Sequence, residues 1–329
     1  MHRISAAAIL VLAVCSQAAA DWPPLPARDA TVMLPAQEWP HAPGPREIKV
    51  YVHYSKGTLD SVDRRTGLML NLHNWGGVGC HTFDVTKLAP RYNLVVVCVD
   101  YVQSGKWNAG ADSPAPYDHG YYQALDALRA LHWIYAGLRQ AKRPFADGRI
   151  YAGGRSGGGN VTLMANKLAP RTFAAVFDFW GMAELTDDVA YNLPGGSRLN
   201  AAYSRDPDSP RYLSPDAQRI RAVGDPGHLA AMRKLGAKAK VVVVHGVDDT
   251  ACLVEDKRRM VENMRRAGFD VEPHFIARDD VDGKLLTGTE HGVGDPTKLL
   301  RHYCDRYLLP SGSATLVRKG KTDFDLRDE

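Results

Sequence analysis

Ser156 sits in the run Gly153-Gly154-Arg155-Ser156-Gly157-Gly158-Gly159, between a short apolar stretch and an amphipathic one. The G-x-S-x-G spacing suits a strand-to-helix turn so tight that a Cβ at Gly154 or Gly158 would strike backbone. A serine in such a turn is strained, and its hydroxyl projects beyond the sheet. The helix that starts behind it offers the Gly157 N–H to a developing oxyanion. A phosphate cradle would need Lys-Ser/Thr after the glycines, and a dinucleotide fingerprint is not matched in register. The chemistry these residues predict is therefore nucleophilic acyl transfer.

A serine hydroxyl needs a base, and the base needs an orienting acid. An apolar run at 241–244 leads into His245-Gly246-Val247-Asp248-Asp249-Thr250. Asp249 is the expected acid and Asp248 the alternative. Further on, Thr289-Glu290-His291-Gly292 places His291 in a glycine-flanked loop before the last helix, where a base can swing over the serine. His245 is its nearest competitor and is expected to shape the acid loop. His132 and His302 fall on helices and His274 in a strand, all expected to be structural. The second oxyanion donor is expected from His73-Asn74-Trp75-Gly76-Gly77, as the backbone N–H of Asn74 or Trp75.

The elements that must hold these residues alternate along the chain. Strands are predicted at 47–54, 67–73, 94–100, 149–153, 174–180, 239–245 and 271–276. Helices are predicted at 120–138, 157–169, 255–267 and 296–309 from apolar stripes of helical period. Such alternation implies an α/β fold with a mainly parallel, doubly wound sheet. Residues 181–238 are rich in Pro, Ser, Asp and Arg and read as a small helical, cap-like insertion after the strand at 174–180, with short helices near 215–221 and 226–235. Residues 21–46 are proline-rich and expected to wrap the surface without regular structure. Residues 47–310 form the main domain, and 311–329 are expected to be a loosely held polar tail.

The 329 residues, 45% hydrophobic and 24% charged, exclude disordered, collagenous and coiled-coil chains. The net charge of +4 is dispersed, so no nucleic-acid partner is expected. Residues 1–20 carry Arg3, an apolar run at 6–14 and Ala18-Ala19-Ala20, which read as an export signal. No later segment reaches transmembrane length, so a periplasmic or extracellular product without a membrane span is expected. Cleavage would remove Cys15 and leave Cys80, Cys98, Cys252 and Cys304. These allow up to two disulfides in three connectivities, or buried thiols.

In order and spacing, the Gly154–Gly158 elbow, the His245-Gly-x-x-Asp249 segment, the His291-Gly loop and the His73–Gly77 loop resemble the α/β-hydrolase superfamily, over roughly residues 47–309. Gly154-x-Ser156-x-Gly158-Gly159 with His245-Gly-x-x-Asp249 looks most like the catalytic domains of prolyl-oligopeptidase-type peptidases. It is also similar to secreted acetylxylan-, feruloyl- and polyhydroxybutyrate-type esterases. The chain departs from the common patterns with His73-Asn74-Trp75-Gly76 in place of His-Gly-Gly, and with Ala251-Cys252-Leu253 in place of Val-Pro. Only about 26 residues separate the expected cleavage point from the first predicted strand, so the resemblance implies a free-standing esterase rather than a propeller-bearing peptidase. The implied reaction is ester hydrolysis through an acyl-enzyme with a Ser156-Asp249-His291 triad, acting on a small-molecule or oligomeric ester and needing no metal or organic cofactor. A short-peptide peptidase is the alternative, and a non-catalytic binding protein on the same scaffold is less favoured. Trp75, Tyr101, Trp107, Tyr117 and Trp180 follow strand ends at the presumed active edge and could stack on substrate. Arg155 either meets a substrate carboxylate or pairs with Asp178.

Overall fold

A computed structural model describes residues 22–106 and 115–327. Among these described residues eight strands form one sheet: β1 (Ala30–Pro35), β2 (Glu47–His53), β3 (Gly67–Leu72), β4 (Leu94–Asp100), β5 (Ile150–Arg155), β6 (Ala175–Phe179), β7 (Lys240–Gly246) and β8 (Val271–Ile276). Their order is β1-β2-β4-β3-β5-β6-β7-β8. From β4 onward every pairing is parallel, while β1–β2 and β2–β4 are antiparallel. β3 and β5 are buried nearly throughout, as parallel strands covered on both faces must be.

Two helical layers supply that cover. Helices α2 (Tyr121–Gln140), α3 (Gly157–Leu168), α6 (Pro226–Lys234) and α7 (Val254–Arg266) pack on one face, against Leu70, Val97, Ile134, Met164 and Met260 among others. Helices α1 (Val85–Tyr92) and α8 (Pro296–Leu308) pack on the other, with Met69, Phe83, Phe177 and Leu300 in the layer between. Arg149 ties the lower edge together: its buried guanidinium donates to the carbonyls of Tyr92 and Leu308 at 2.8 and 2.7 Å, at the C-terminal ends of α1 and α8.

β1 corrects the expectation that 21–46 lacks regular structure. Its inward residues Ala30 and Val32 are half-buried and Leu34 is buried, alternating with exposed ones, and it pairs with β2 from Ala30↔Val52 to Pro35↔Glu47. As a short edge strand flanked by prolines it carries little periodic signal. The segment after it is also anchored, since Asp126 accepts from Gln37 N at 3.0 Å and pairs with Arg46.

The C-terminal segment is not loosely held. Phe324 and Thr322 are buried, Asp323 engages Arg171 and Thr172, and Tyr135 donates to Asp325 at 2.7 Å. Its polar residues find partners on the α2 and α3 side, which composition alone does not reveal.

Between β6 and β7, residues 181–238 carry α4 (Asp187–Tyr191), α5 (Pro215–Ile220) and α6. Ser214 and Asp225 side chains cap α5 and α6 by accepting from Ala217 N and His228 N. Met182, Leu185, Val189 and Ala201 form a separate apolar cluster with Trp75, Tyr117, Ala251 and Cys252. The insertion thus packs onto the loops at the carboxyl edge of the sheet. Cys80 and Cys98 form a disulfide, while Cys252 and Cys304 are buried thiols.

Candidate active site

β5 ends at Arg155 and α3 begins at Gly157, so Ser156 makes the whole turn. Its φ of 52° and ψ of −124° are strained for a residue with a side chain. A Cβ on Gly154 would collide with the Gly158 carbonyl, and one on Gly158 with the carbonyls of Leu72 and His73. Only glycines let the turn from β5 into α3 close this tightly against the end of β3.

Ser156 Oγ lies 2.9 Å from His291 Nε2, and His291 Nδ1 lies 2.9 Å from Asp249 Oδ2. An ionised carboxylate can only accept, so Nδ1–H donates to Asp249 and Nε2 of the neutral ring accepts from the serine hydroxyl. Asp249 Oδ1 accepts from Ala251 N and Cys252 N at 2.8 and 2.9 Å. Burial pushes the Asp249 carboxyl up, but the bond and charge of His291 and the Cys252 N–H together hold it below the usual carboxylate range. The acid side chain is fully buried, whereas 21% of the His291 side chain is exposed. The three groups can therefore move a proton from a hydroxyl at the rim of the site onto an imidazole held from behind.

Loop packing explains why these two residues meet. Gly246 at the end of β7 lies against the carbonyls of Thr289 and Glu290, where a Cβ would not fit. Asp248 clamps the same loop: its N–H donates to Thr289 O at 2.8 Å, and its carboxylate accepts from Thr289 Oγ1 at 2.6 Å. The alternative acid is thus occupied in holding the base loop. His245 is buried and its Nε2–H donates to Cys252 O at 2.7 Å, so it braces the acid loop. His274 sits beside Glu272 in β8, and His132 contacts the rings of Trp22 and Phe324.

The Gly157 N–H, in the first turn of α3, has no intrahelical acceptor. The backbone N of Trp75 is packed so closely on Gly157 that a Cβ there would lie 2.6 Å from it. Of the two expected donors from the β3 loop, Trp75 is the one the fold brings to the elbow. His73 is buried beneath this loop, with Nδ1–H on Asn74 O at 2.8 Å and Nε2 on Ser104 Oγ at 2.7 Å.

The aromatic expectations fare differently. Tyr101 is buried, stacks on His73 and donates its hydroxyl to His73 O, so it is packing rather than a substrate platform. Trp180 is likewise buried, beside Phe179. Trp75 and Tyr117 stack on each other at 3.5 Å and are buried. Trp107 lies outside the described residues. Arg155 does not pair with Asp178. Asp178 pairs instead with Lys257, both side chains fully buried, and also accepts from Gly181 N. An acid inside an apolar strand signalled that some cation was needed; that it would come from α7 was not legible.

Asp249, Cys252 and His291 offer ligand atoms within 4.8 Å of one another, and could converge on a metal ion. Asp249 and His291 are already bonded to each other, and the Cys252 thiol is pushed well up by burial, which disfavours a thiolate ligand.

With this geometry in view, solved structures place the chain in a fold class. It has the α/β-hydrolase fold. It is similar to the acylaminoacyl peptidase of Pyrococcus horikoshii, with a TM-score of 0.58 and 14% identity, over 92% of this chain and 44% of that one. It is similar to a Mycobacterium tuberculosis puromycin-hydrolysing peptidase, at 0.54 and 14%, over 86% and 40%. It is also similar to prolyl oligopeptidase B of Galerina marginata, at 0.54 and 14%, over 88% and 37%. The chain spans less than half the length of these structures. Residues 196–304 match a family model described as a protein of unknown function, DUF2920. No curated protein matches the sequence.

Proposed function

We propose that the protein is a serine hydrolase that cleaves short peptides through an acyl-enzyme. The observation that carries the reading is the unbroken chain from Ser156 Oγ through His291 to Asp249, at 2.9 Å per step. His291 Nε2 takes the proton of Ser156 as the oxygen attacks the scissile carbonyl. The N–H groups of Gly157 and Trp75 stabilise the oxyanion, each worth roughly 3–4 kcal/mol in such sites. His291 then protonates the leaving nitrogen, and a water activated by the same imidazole releases the acyl group. Asp249 keeps the ring in the required tautomer and stabilises its charged form.

The carboxylesterase favoured by the sequence uses the same chemistry. The solved relatives are named as two peptidases and an oligopeptidase, which supports the peptide reading over the ester one. A fluorophosphonate probe tests the reaction: it should label the wild type and not Ser156→Ala. Absence of labelling would favour a non-catalytic binding protein. Matched acyl amides and short-chain esters then rank the two substrate classes by kcat/KM.

We also propose export to the periplasm or the extracellular space. The leader-like residues 1–20 motivate it, and the Cys80–Cys98 disulfide is of the kind that oxidising compartments sustain. Among the described residues no helix is long and apolar enough to cross a membrane. N-terminal sequencing of protein recovered from a cell fraction tests it. A cytosolic product beginning at Met1 would refute export.

A further inference from the structure

Arg155 directly precedes Ser156, and among the described residues its side chain has no hydrogen-bond or ion-pair partner. The acid that sequence offered it, Asp178, is held by Lys257. The guanidinium is half-buried, and that burial pulls its pKa below the usual value, with the charge of Asp295 opposing. It remains a cation throughout the physiological range. A desolvated guanidinium with no anion in contact carries a cost that the charge of Asp295 opposes without a hydrogen bond or ion pair to it.

Its direction follows from the strand. Tyr151, Gly153 and Arg155 alternate onto one face of β5. A Cβ on Gly153 would meet Phe83 and Met69, which belong to the layer covered by α1 and α8. Asp295 caps α8 and lies four residues beyond His291. Arg155 therefore lies on the side of Ser156 from which the base loop approaches. His291 hands its proton to the leaving group, so that is also the side on which the leaving group departs.

We infer that Arg155 binds a carboxylate on the leaving group, so that the preferred substrates are short peptides cut at their last bond, with the C-terminal carboxylate held by this guanidinium. The inference rests on the serine-hydrolase reading above. The scissile C–N bond breaks as the acyl group passes to Ser156 Oγ. The released amino acid takes its proton from His291 Nε2, and water then frees the acyl half. Arg155 can meet the carboxylate with two parallel N–H donors.

The test pairs N-acyl dipeptides bearing a free C-terminal acid with the same peptides as C-terminal amides. They are assayed on the wild type, Arg155→Met and Arg155→Lys. The wild type should favour the acid by about tenfold or more in kcat/KM, as a charge-assisted contact implies. The preference should lie mainly in KM and fade with added salt. Arg155→Met should bring the ratio close to one, and Arg155→Lys should fall between. Fluorophosphonate labelling of Ser156 in each protein reports an intact elbow independently of the carboxylate. If labelled wild type cuts both peptides equally, prefers the amide or cuts neither, the carboxylate assignment is overturned and the serine hydrolase stands. If labelled Arg155→Met or Arg155→Lys keeps the full preference, another group holds the carboxylate and the assignment is also overturned. If the wild type is not labelled at all, both readings fall.

Discussion

Asp249 and His291, 42 positions apart in sequence, are joined by a 2.9 Å hydrogen bond from Nδ1–H to a fully buried carboxylate. The adjacent Asp248 contacts the same loop through Thr289 and does not reach the imidazole. Two acids side by side thus have separate tasks, one orienting the base and one anchoring the loop that carries it.

Their substitution should separate them. Asp249→Asn permits the wrong tautomer of His291 and should lower kcat by roughly 10⁴-fold. Asp248→Asn keeps a group able to bond Thr289 and should change activity by no more than about twofold. Steady-state kinetics on one substrate decides, and equal losses would reverse the assignment of the acid.

The elbow predicts a second contrast. Gly158→Ala places a methyl group on the carbonyls of Leu72 and His73, so it should prevent folding or lower Tm sharply. Gly157→Ala crowds the backbone of the loop at Asn74 and Trp75 and should leave a folded protein whose oxyanion donors are displaced. Its kcat should fall by about 10²–10³-fold with little change in KM. Circular dichroism and kinetics on the two variants check this; a fully active Gly157→Ala would remove Trp75 from the site.

The Cys80–Cys98 bond closes a loop with a sequence separation of 18. Chain entropy assigns such a loop about 3 kcal/mol. Replacing both cysteines by serine should lower Tm by roughly 5–10 °C at unchanged kcat. Thermal melts with and without reductant measure it. An identical Tm would argue that the thiols are not bonded in solution.

Burial holds His73 and His245 down to about 4 and His119 to about 3, from 6.5. All three are thus neutral when folded and take up protons when unfolded, between about 6.5 and those values. Their contribution to stability is complete above pH 6.5 and is lost as pH falls toward 4. Each bound proton gives a slope of about 1.4 kcal/mol per pH unit in that window. Chemical denaturation at pH 7, 6, 5 and 4.5 should show the decline, and His119→Gln should flatten it. A stability unchanged from pH 7 to 4.5 would contradict the burial of these rings.

Much of the site was legible because it is written in local rules. The glycines around Ser156 answer to a backbone clash within a few residues. The order serine, acid, histidine follows from strands and helices that apolar periodicity marks clearly, such as β4 and β7. The Asn74–Trp75 loop was found because it follows a buried strand, and the choice of Trp75 came only when α3 was packed against it.

Tertiary structure decided what depends on a distant partner. β1 exists because β2 offers it an edge, not because its own six residues insist on a strand. Asp178 chose Lys257 over Arg155, since α7 buries a cation where β6 buries an acid. Tyr101 and Trp180, placed by sequence at the active edge, turned inward because the layers around His73 and Phe179 had apolar space to fill. Asp249 was separated from Asp248 by the packing of Gly246 on the base loop. The sequence by itself determined an α/β-hydrolase scaffold with a nucleophile elbow, through periodicity and the geometry of glycine. Which charges pair, which rings are exposed and which acid meets the histidine are settled only by contacts between segments far apart in the chain.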